Sequence, residues 1–171
     1  VTKRGKLRSM LVDENLAYAP AWQLRQLIVR KEVSPVELTE LFLRRIESFN
    51  DRLNAYLTIS AEEAIDTARA AEIAVMNGDP LGSLHGIPIS IKDLEPTKGI
   101  RTTYGSLVYK DNVPTKDSPA VERIRNAGAI ILGKTNTPEF GMTPTTENRL
   151  GDACRNPWNI DCTSGGSSGG A

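Results

Sequence analysis

Ile87-Pro88-Ile89-Ser90-Ile91-Lys92-Asp93 is an apolar run that stops on a lysine. Such a run, with branched residues at 87, 89 and 91 and a loop on either side, predicts a strand buried in a sheet over residues 87–91, with Lys92 at its end. Ala129-Ile130-Ile131-Leu132 is a second run of the same kind. Helical patterns lie before and between the two. Helices alternating with short apolar strands predict an α/β fold with a largely parallel sheet.

Residues 21–31 follow Pro20 and form a helical pattern with Trp22, Leu24, Leu27 and Ile28 as apolar positions. Ser34-Pro35-Val36-Glu37 is a capping box with proline at the first helical position. The helix it starts is expected to reach about Phe49, with Leu38, Leu41, Phe42, Ile46 and Phe49 on one stripe. Residues 55–59 alternate weakly and suit a short strand. Ser60-Ala61-Glu62-Glu63 reads as a second capping box, opening an alanine-rich helix that ends near Met76 with Gly78 as its stop. Residues 80–86 and 95–105 read as loops. Ser118-Pro119 starts a further helix, to about Ala127, stopped by Gly128. Residues 135–164 are rich in Asn, Thr, Pro and Gly. So long an irregular stretch implies a functional segment or short helical turns.

A chain of 171 residues is long enough for one domain with a real core. It holds 21 basic and 21 acidic residues, so its formal net charge is zero and nothing electrostatic argues for nucleic acid or an acidic membrane. Lys3, Arg4, Lys6 and Arg8 read as a solvated, frayed start. No apolar stretch is long enough for a signal peptide or a bilayer span, which predicts a soluble, cytoplasmic protein. Cys154 and Cys162 make neither a disulfide framework nor a metal site. His85 is the only histidine, so a zinc site built on several histidines is excluded within the chain. Set in a turn before Gly86, it reads as a partner for backbone rather than as a base.

Three motifs bear on chemistry. Gly128-Ala129-Ile130-Ile131-Leu132-Gly133-Lys134-Thr135 fits the phosphate-loop pattern. That mechanism needs a loop of exposed backbone N–H groups before a helix, whereas the middle residues here are strand and Asn136-Thr137-Pro138 follows. The motif is rejected. Lys92 reads either as a lysine reaching solvent from a strand end or as one desolvated enough to act as a general base. Asp93 is a surface charge or a loop anchor. Ser164-Gly165-Gly166-Ser167-Ser168-Gly169-Gly170-Ala171 has the composition of a flexible linker, or of glycines that let backbone crowd around a serine. Periodicity does not choose between these readings.

Taken in order, several stretches resemble the amidase signature family. They are Leu84-His85-Gly86-Ile87-Pro88-Ile89-Ser90-Ile91-Lys92-Asp93, Thr102-Thr103-Tyr104-Gly105-Ser106, Gly128 through Phe140, Asn156-Pro157-Trp158-Asn159, and Gly165-Gly166-Ser167-Ser168-Gly169-Gly170. The resemblance runs from about Ser34 to Ala171. It implies a mixed sheet flanked by helices, truncated inside the core. Residues 1–60 then form an N-terminal helical segment, and 61–171 the first part of the signature domain.

The resemblance also implies a Ser–cis-Ser–Lys triad. Lys92 matches the lysine base, and Ser167 the middle serine, joined to Gly166 by a cis peptide bond. Ser168 matches a supporting hydrogen bonder. Gly141, Met142 and Thr143 match a stretch that lines the acyl pocket, against the plain reading of an ordinary loop. The nucleophilic serine and the oxyanion hole would lie after Ala171, so the 171-residue chain alone is expected to be inactive. Proline often stands in the family where this chain has Ser164, a position outside the chemistry.

The implied activity is hydrolysis of a small carboxamide through an acyl-enzyme, with no cofactor and no metal. The implied partners are a small-molecule amide and, through the early helices, a homodimer, with no direct nucleic acid and no membrane. The alternatives are the amidase-like subunit of a tRNA-dependent amidotransferase, or an inactive fragment with a binding role. The sequence does not name the amide.

Overall fold

A computed structural model describes residues 14–171. The basic cluster Lys3, Arg4, Lys6 and Arg8 lies outside the described residues.

A short 3-10 turn, Glu14–Tyr18, leads into helix α1, Ala21–Val29. Leu24 and Ile28 are buried one turn apart, while Trp22 is 64% exposed. Trp22 was expected among the apolar positions. Two residues from Leu24 is more than half a turn around the helix, so its side chain faces away from the core. The helix also ends before residue 31: Lys31 turns to φ 60, and its N–H and that of Glu32 close onto Ile28 and Leu27 carbonyls.

Helix α2, Pro35–Leu53, starts on the expected capping box. Ser34 Oγ accepts from the N–H of Val36 at 2.9 Å and of Glu37 at 3.4 Å, and Glu37 accepts from Ser34 N–H at 3.2 Å. The helix runs past Phe49, which is exposed, to Leu53, where Asn54 turns to φ 48. Helix α3, Ala61–Asn77, ends on Gly78 as expected. Its start corrects the second capping box. Ser60 stands at φ −108, ψ 53 rather than in the extended geometry of a cap, and its side chain makes no cap; its backbone N–H is given to Leu132 O at 2.9 Å. Glu63 therefore has no free donor to reach back to, and pairs with Arg125 at 3.1 Å.

The main sheet has three strands, β1 (Tyr56–Ile59), β2 (Pro88–Lys92) and β3 (Ile130–Thr135), in the order β1-β3-β2. β2 and β3 are parallel and β1 is antiparallel to β3, so the sheet is mixed. The expectation of a largely parallel sheet is thereby corrected. A crossover through helix α4 (Pro119–Asn126) makes β2 and β3 parallel, whereas β1 precedes that unit and joins the free edge of β3 the other way. β3 also extends past Leu132 through Gly133-Lys134-Thr135, all buried. The phosphate-loop look-alike is therefore strand. A Cβ on Gly133 would run into Thr58 O, and the ladder slips register beside it against β2 and between Lys134 and Thr135 against β1.

One face of β3 packs Ile130 and Leu132 on Ile46, Ala64 and Ala68 of α2 and α3. The other packs Ile131 with Ile91, Ile100 and Val121. Each Val, Leu or Ile side chain so buried contributes about 1.5–3 kcal/mol. The irregular stretch holds a 3-10 turn, Glu139–Gly141, and a small hairpin of β4 (Arg155–Asn156) and β5 (Asn159–Thr163). Among the described residues no helix is long and apolar enough to cross a membrane.

Candidate functional site

β2 carries Lys92 to the end of the sheet, where it pairs with Thr135 of β3. Lys92 Nζ donates to Ser167 Oγ at 2.8 Å. Burial without a charged partner lowers the Lys92 pKa from its ordinary value. The peptide bond between Gly166 and Ser167 is cis. Residues 75 positions apart in the chain thus meet, and the lysine at the strand end points to a serine rather than to solvent.

The glycine-rich tail that presents Ser167 is packed. Buried Thr146 donates to Gly165 O at 2.7 Å. A Cβ on Gly166 would stand 2.9 Å from Thr146 Oγ1, and one on Gly169 would run into the same side chain. Gly170 N–H donates to Asn136 O at 3.2 Å, and a Cβ there would lie 2.6 Å from Asn136 N. Asn136 is itself held by Asn54 O at 2.8 Å and by Asn148 Nδ2 at 2.8 Å. Cys154, buried, donates to Gly169 O at 3.2 Å. At Gly166, Gly169 and Gly170 the main chain presses on neighbours with no room for a side chain, which a linker would not require.

Two further charges lie behind the strand ends. Asp93 is wholly buried; its Oδ2 accepts from Thr103 N at 2.9 Å and from the Thr103 hydroxyl, while Oδ1 has no hydrogen-bond partner. Burial pushes the Asp93 carboxyl up, against the Thr103 hydrogen bonds, the nearby Lys134 charge and the Gly105 N–H. Lys134 is also wholly buried and donates to Thr97 Oγ1 and Thr102 Oγ1, each at 2.9 Å, and to Glu95 O. Burial lowers its pKa to about 8, opposed by Asp93, Glu95 and Asp117. Sequence reasoning weighed Lys134 only as a phosphate ligand. A lysine continuing an apolar strand was the signal available for a buried cation.

The other candidates are placed as follows. Gly141 packs on Leu94, two residues after Lys92, and a Cβ there would meet Leu94 Cδ1 at 2.7 Å. Met142 is 80% exposed, and Thr143 donates to Thr145 O at 2.9 Å. Ser168 is exposed, and its carbonyl accepts from Ala171 N–H at 3.2 Å. His85 is 3.0 Å from Ala71 O through Nε2, a backbone contact. Both cysteines are free. Among the described residues no group of His, Cys, Asp and Glu is arranged to hold a metal ion.

The amidase family model matches residues 37–171. A glutamyl-tRNA(Gln) amidotransferase subunit from Moorella thermoacetica is 45% identical over 156 residues, which are 91% of this chain and 32% of that protein. The protein of the same name from Marinomonas is 45% identical over 148 residues, 86% of this chain and 30% of the relative. Among solved structures, a bacterial aryl acylamidase of the amidase signature enzymes superposes with a TM-score of 0.84 at 35% identity, over 90% of this chain and 32% of the other. The peptide amidase of Stenotrophomonas maltophilia gives 0.83 at 29% identity, over 92% and 34%. The chain thus spans about a third of the length of these relatives. The names of the curated relatives correct one expectation. A partner set of small amide and homodimer, without nucleic acid, does not describe proteins named for a glutamyl-tRNA and as parts of a larger enzyme.

Proposed function

The chain belongs to the amidase signature family, and from that premise we propose that it is the amide-cleaving portion of one subunit of a tRNA-dependent amidotransferase. The observation that carries the chemical half is the 2.8 Å hydrogen bond from Lys92 to Ser167. The amidotransferase half is supported by curated relatives at 40–45% identity that share one name.

In this reading neutral Lys92 takes the proton of Ser167, and Ser167 takes the proton of a nucleophilic serine assigned to the protein beyond Ala171. The new alkoxide adds to the carboxamide carbon. Ser167 returns a proton to the amide nitrogen, the C–N bond breaks and ammonia leaves. Water then enters by the same proton route and releases the acid. The lowered Lys92 pKa supports the first step, because it enlarges the neutral fraction near pH 7. Ser168, and Gly141, Met142 and Thr143 as acyl-pocket lining, keep the roles the family resemblance implies. A cytoplasmic location belongs to the same reading, since aminoacyl-tRNA is used where translation runs.

The test uses the full-length protein with its partner subunits and glutamine as the amide. Glutamate and ammonia should appear, faster with glutamyl-tRNA present, and Lys92→Ala should lower kcat by about a thousandfold. A stand-alone amidase is the second reading, favoured by the aryl acylamidase and peptide amidase similarities. Turnover of small aryl or peptide amides without partners, indifferent to tRNA, would favour it instead.

A further inference from the structure

The ends of β2 and β3 carry charge on both faces. Ile91 pairs with Lys134 and Lys92 with Thr135. Side chains alternate along a strand, so Asp93 and Lys134 share one face and Lys92 points from the other. On the first face the chain leaves Lys92, makes a loop over residues 94–105 and returns. Lys134 Nζ gathers three oxygens from that loop, Glu95 O, Thr97 Oγ1 and Thr102 Oγ1. Asp93 takes the next residue, Thr103, by both its N–H and its hydroxyl. The Thr103 hydroxyl in turn accepts from Gly105 N–H at 3.1 Å. Glu95 N–H closes on Lys92 O at 3.0 Å, and Tyr104 N–H on Asp93 O at 3.1 Å.

We propose that Lys134 and Asp93 are positioning residues for Lys92: two buried opposite charges that lock the loop around the strand end and so hold the Lys92 amine on Ser167. This rests on the reading of Lys92 as the base. A buried ammonium and a buried carboxylate are expensive unless their partners are fully formed. Asp93 Oδ1 takes no part in the Thr103 hydrogen bonds, and Lys134 is the positive charge that acts on the carboxylate. An all-apolar filling would pack the same face without that cost. The charges fix a geometry that apolar packing would leave to drift. Neither residue has a hydrogen bond to Ser167; both act through the loop that follows Lys92.

The test is made in the full-length assembly, with kcat, KM and the pH profile of kcat/KM as readouts. Lys134→Ala leaves a cavity ringed by the same three oxygens. With Lys92 loosened, kcat should fall about tenfold with KM unchanged, and the acid limb should move up by about one pH unit as Lys92 regains water. Propylammonium, which supplies three N–H donors, should restore both the rate and the limb, and tetramethylammonium, which supplies none, should not. Should Lys134→Ala fail to fold, the double variant Thr97→Val/Thr102→Val removes two of the oxygens at nearly constant volume, and the same shift is expected of it. A folded variant with the wild-type kcat and pH profile, beside an inactive Lys92→Ala, overturns the positioning role alone. If Lys92→Ala keeps the wild-type rate, the base reading fails and the positioning role falls with it.

Discussion

Lys92 and Lys134 stand one register step apart on neighbouring strands, and burial lowers the pKa of both. Their partners separate them. Lys134 gives its three N–H bonds to three oxygens and is sealed from solvent. Lys92 is half-buried and gives one bond, to a single hydroxyl. A fully partnered ammonium is a structural cation, and one facing a single serine can exchange its proton. Partner count and partner type, rather than burial, distinguish a strut from a base.

The sharpest way to break this comparison is to replace each lysine by methionine. Lys92→Met should lose about a thousandfold in kcat while changing unfolding free energy by no more than about 0.5 kcal/mol. Lys134→Met should lose mainly stability, about 3–5 kcal/mol, because three loop oxygens lose their donor and Asp93 its nearby positive charge, with only the roughly tenfold loss in kcat expected of a positioning residue. Urea melts beside amide turnover decide it; equal stability losses would erase the distinction.

A smaller effect tests whether Ser167 is presented by packing. Gly170→Ala drives a methyl into Ala55 O and Asn136, and should cost about 1–3 kcal/mol. Gly165→Ala meets nothing within 4 Å, and only its φ of 81° opposes it, for about 1 kcal/mol. If the two melt alike, the tail is not packed as described.

A further effect is in pH. Lys134 has a folded pKa of about 8 against its ordinary 10.5, so the unfolded chain binds more protons between those values. Stability should therefore rise with pH across that window, and Lys134→Met should flatten the rise while Lys92→Met keeps most of it. Melting temperatures at about pH 7.5 and 9.5, values chosen to bracket the titration, read it out.

Much of the frame was legible because it is local. The Ser34–Glu37 box, the Gly78 and Gly128 stops and the two apolar strands follow from neighbours in sequence. What was not legible depends on distant chain. Ser60-Ala61-Glu62-Glu63 has the same letters as a working box, but Leu132, far along the chain, takes the N–H that the box needs. The continuation of β3 through Gly133 and Lys134 breaks the apolar pattern, and Thr58 is what demands the glycine. The tail has a linker's composition, and its glycines acquire meaning only against Thr146 and Asn136. For the candidate site, Lys92 and Ser167 were named through family resemblance. Asp93 was read as either a surface charge or a loop anchor, and its hold on Thr103 makes it the anchor; that it is buried with Lys134 was not legible, since charge and burial are opposed in any sequence-based expectation.

The strand order β1-β3-β2 places the last-made strand in the middle. On a ribosome, β1 and β2 would therefore emerge with no partner, since neither pairs with the other. The wait from Ile59 to Ile130 is about 4–14 s at ordinary elongation rates. During that interval α2 and α3 can already associate, but β1 and β2 each expose unpaired main chain. Pairing of this sheet therefore waits on β3, and its first two strands stay unpaired with each other until then.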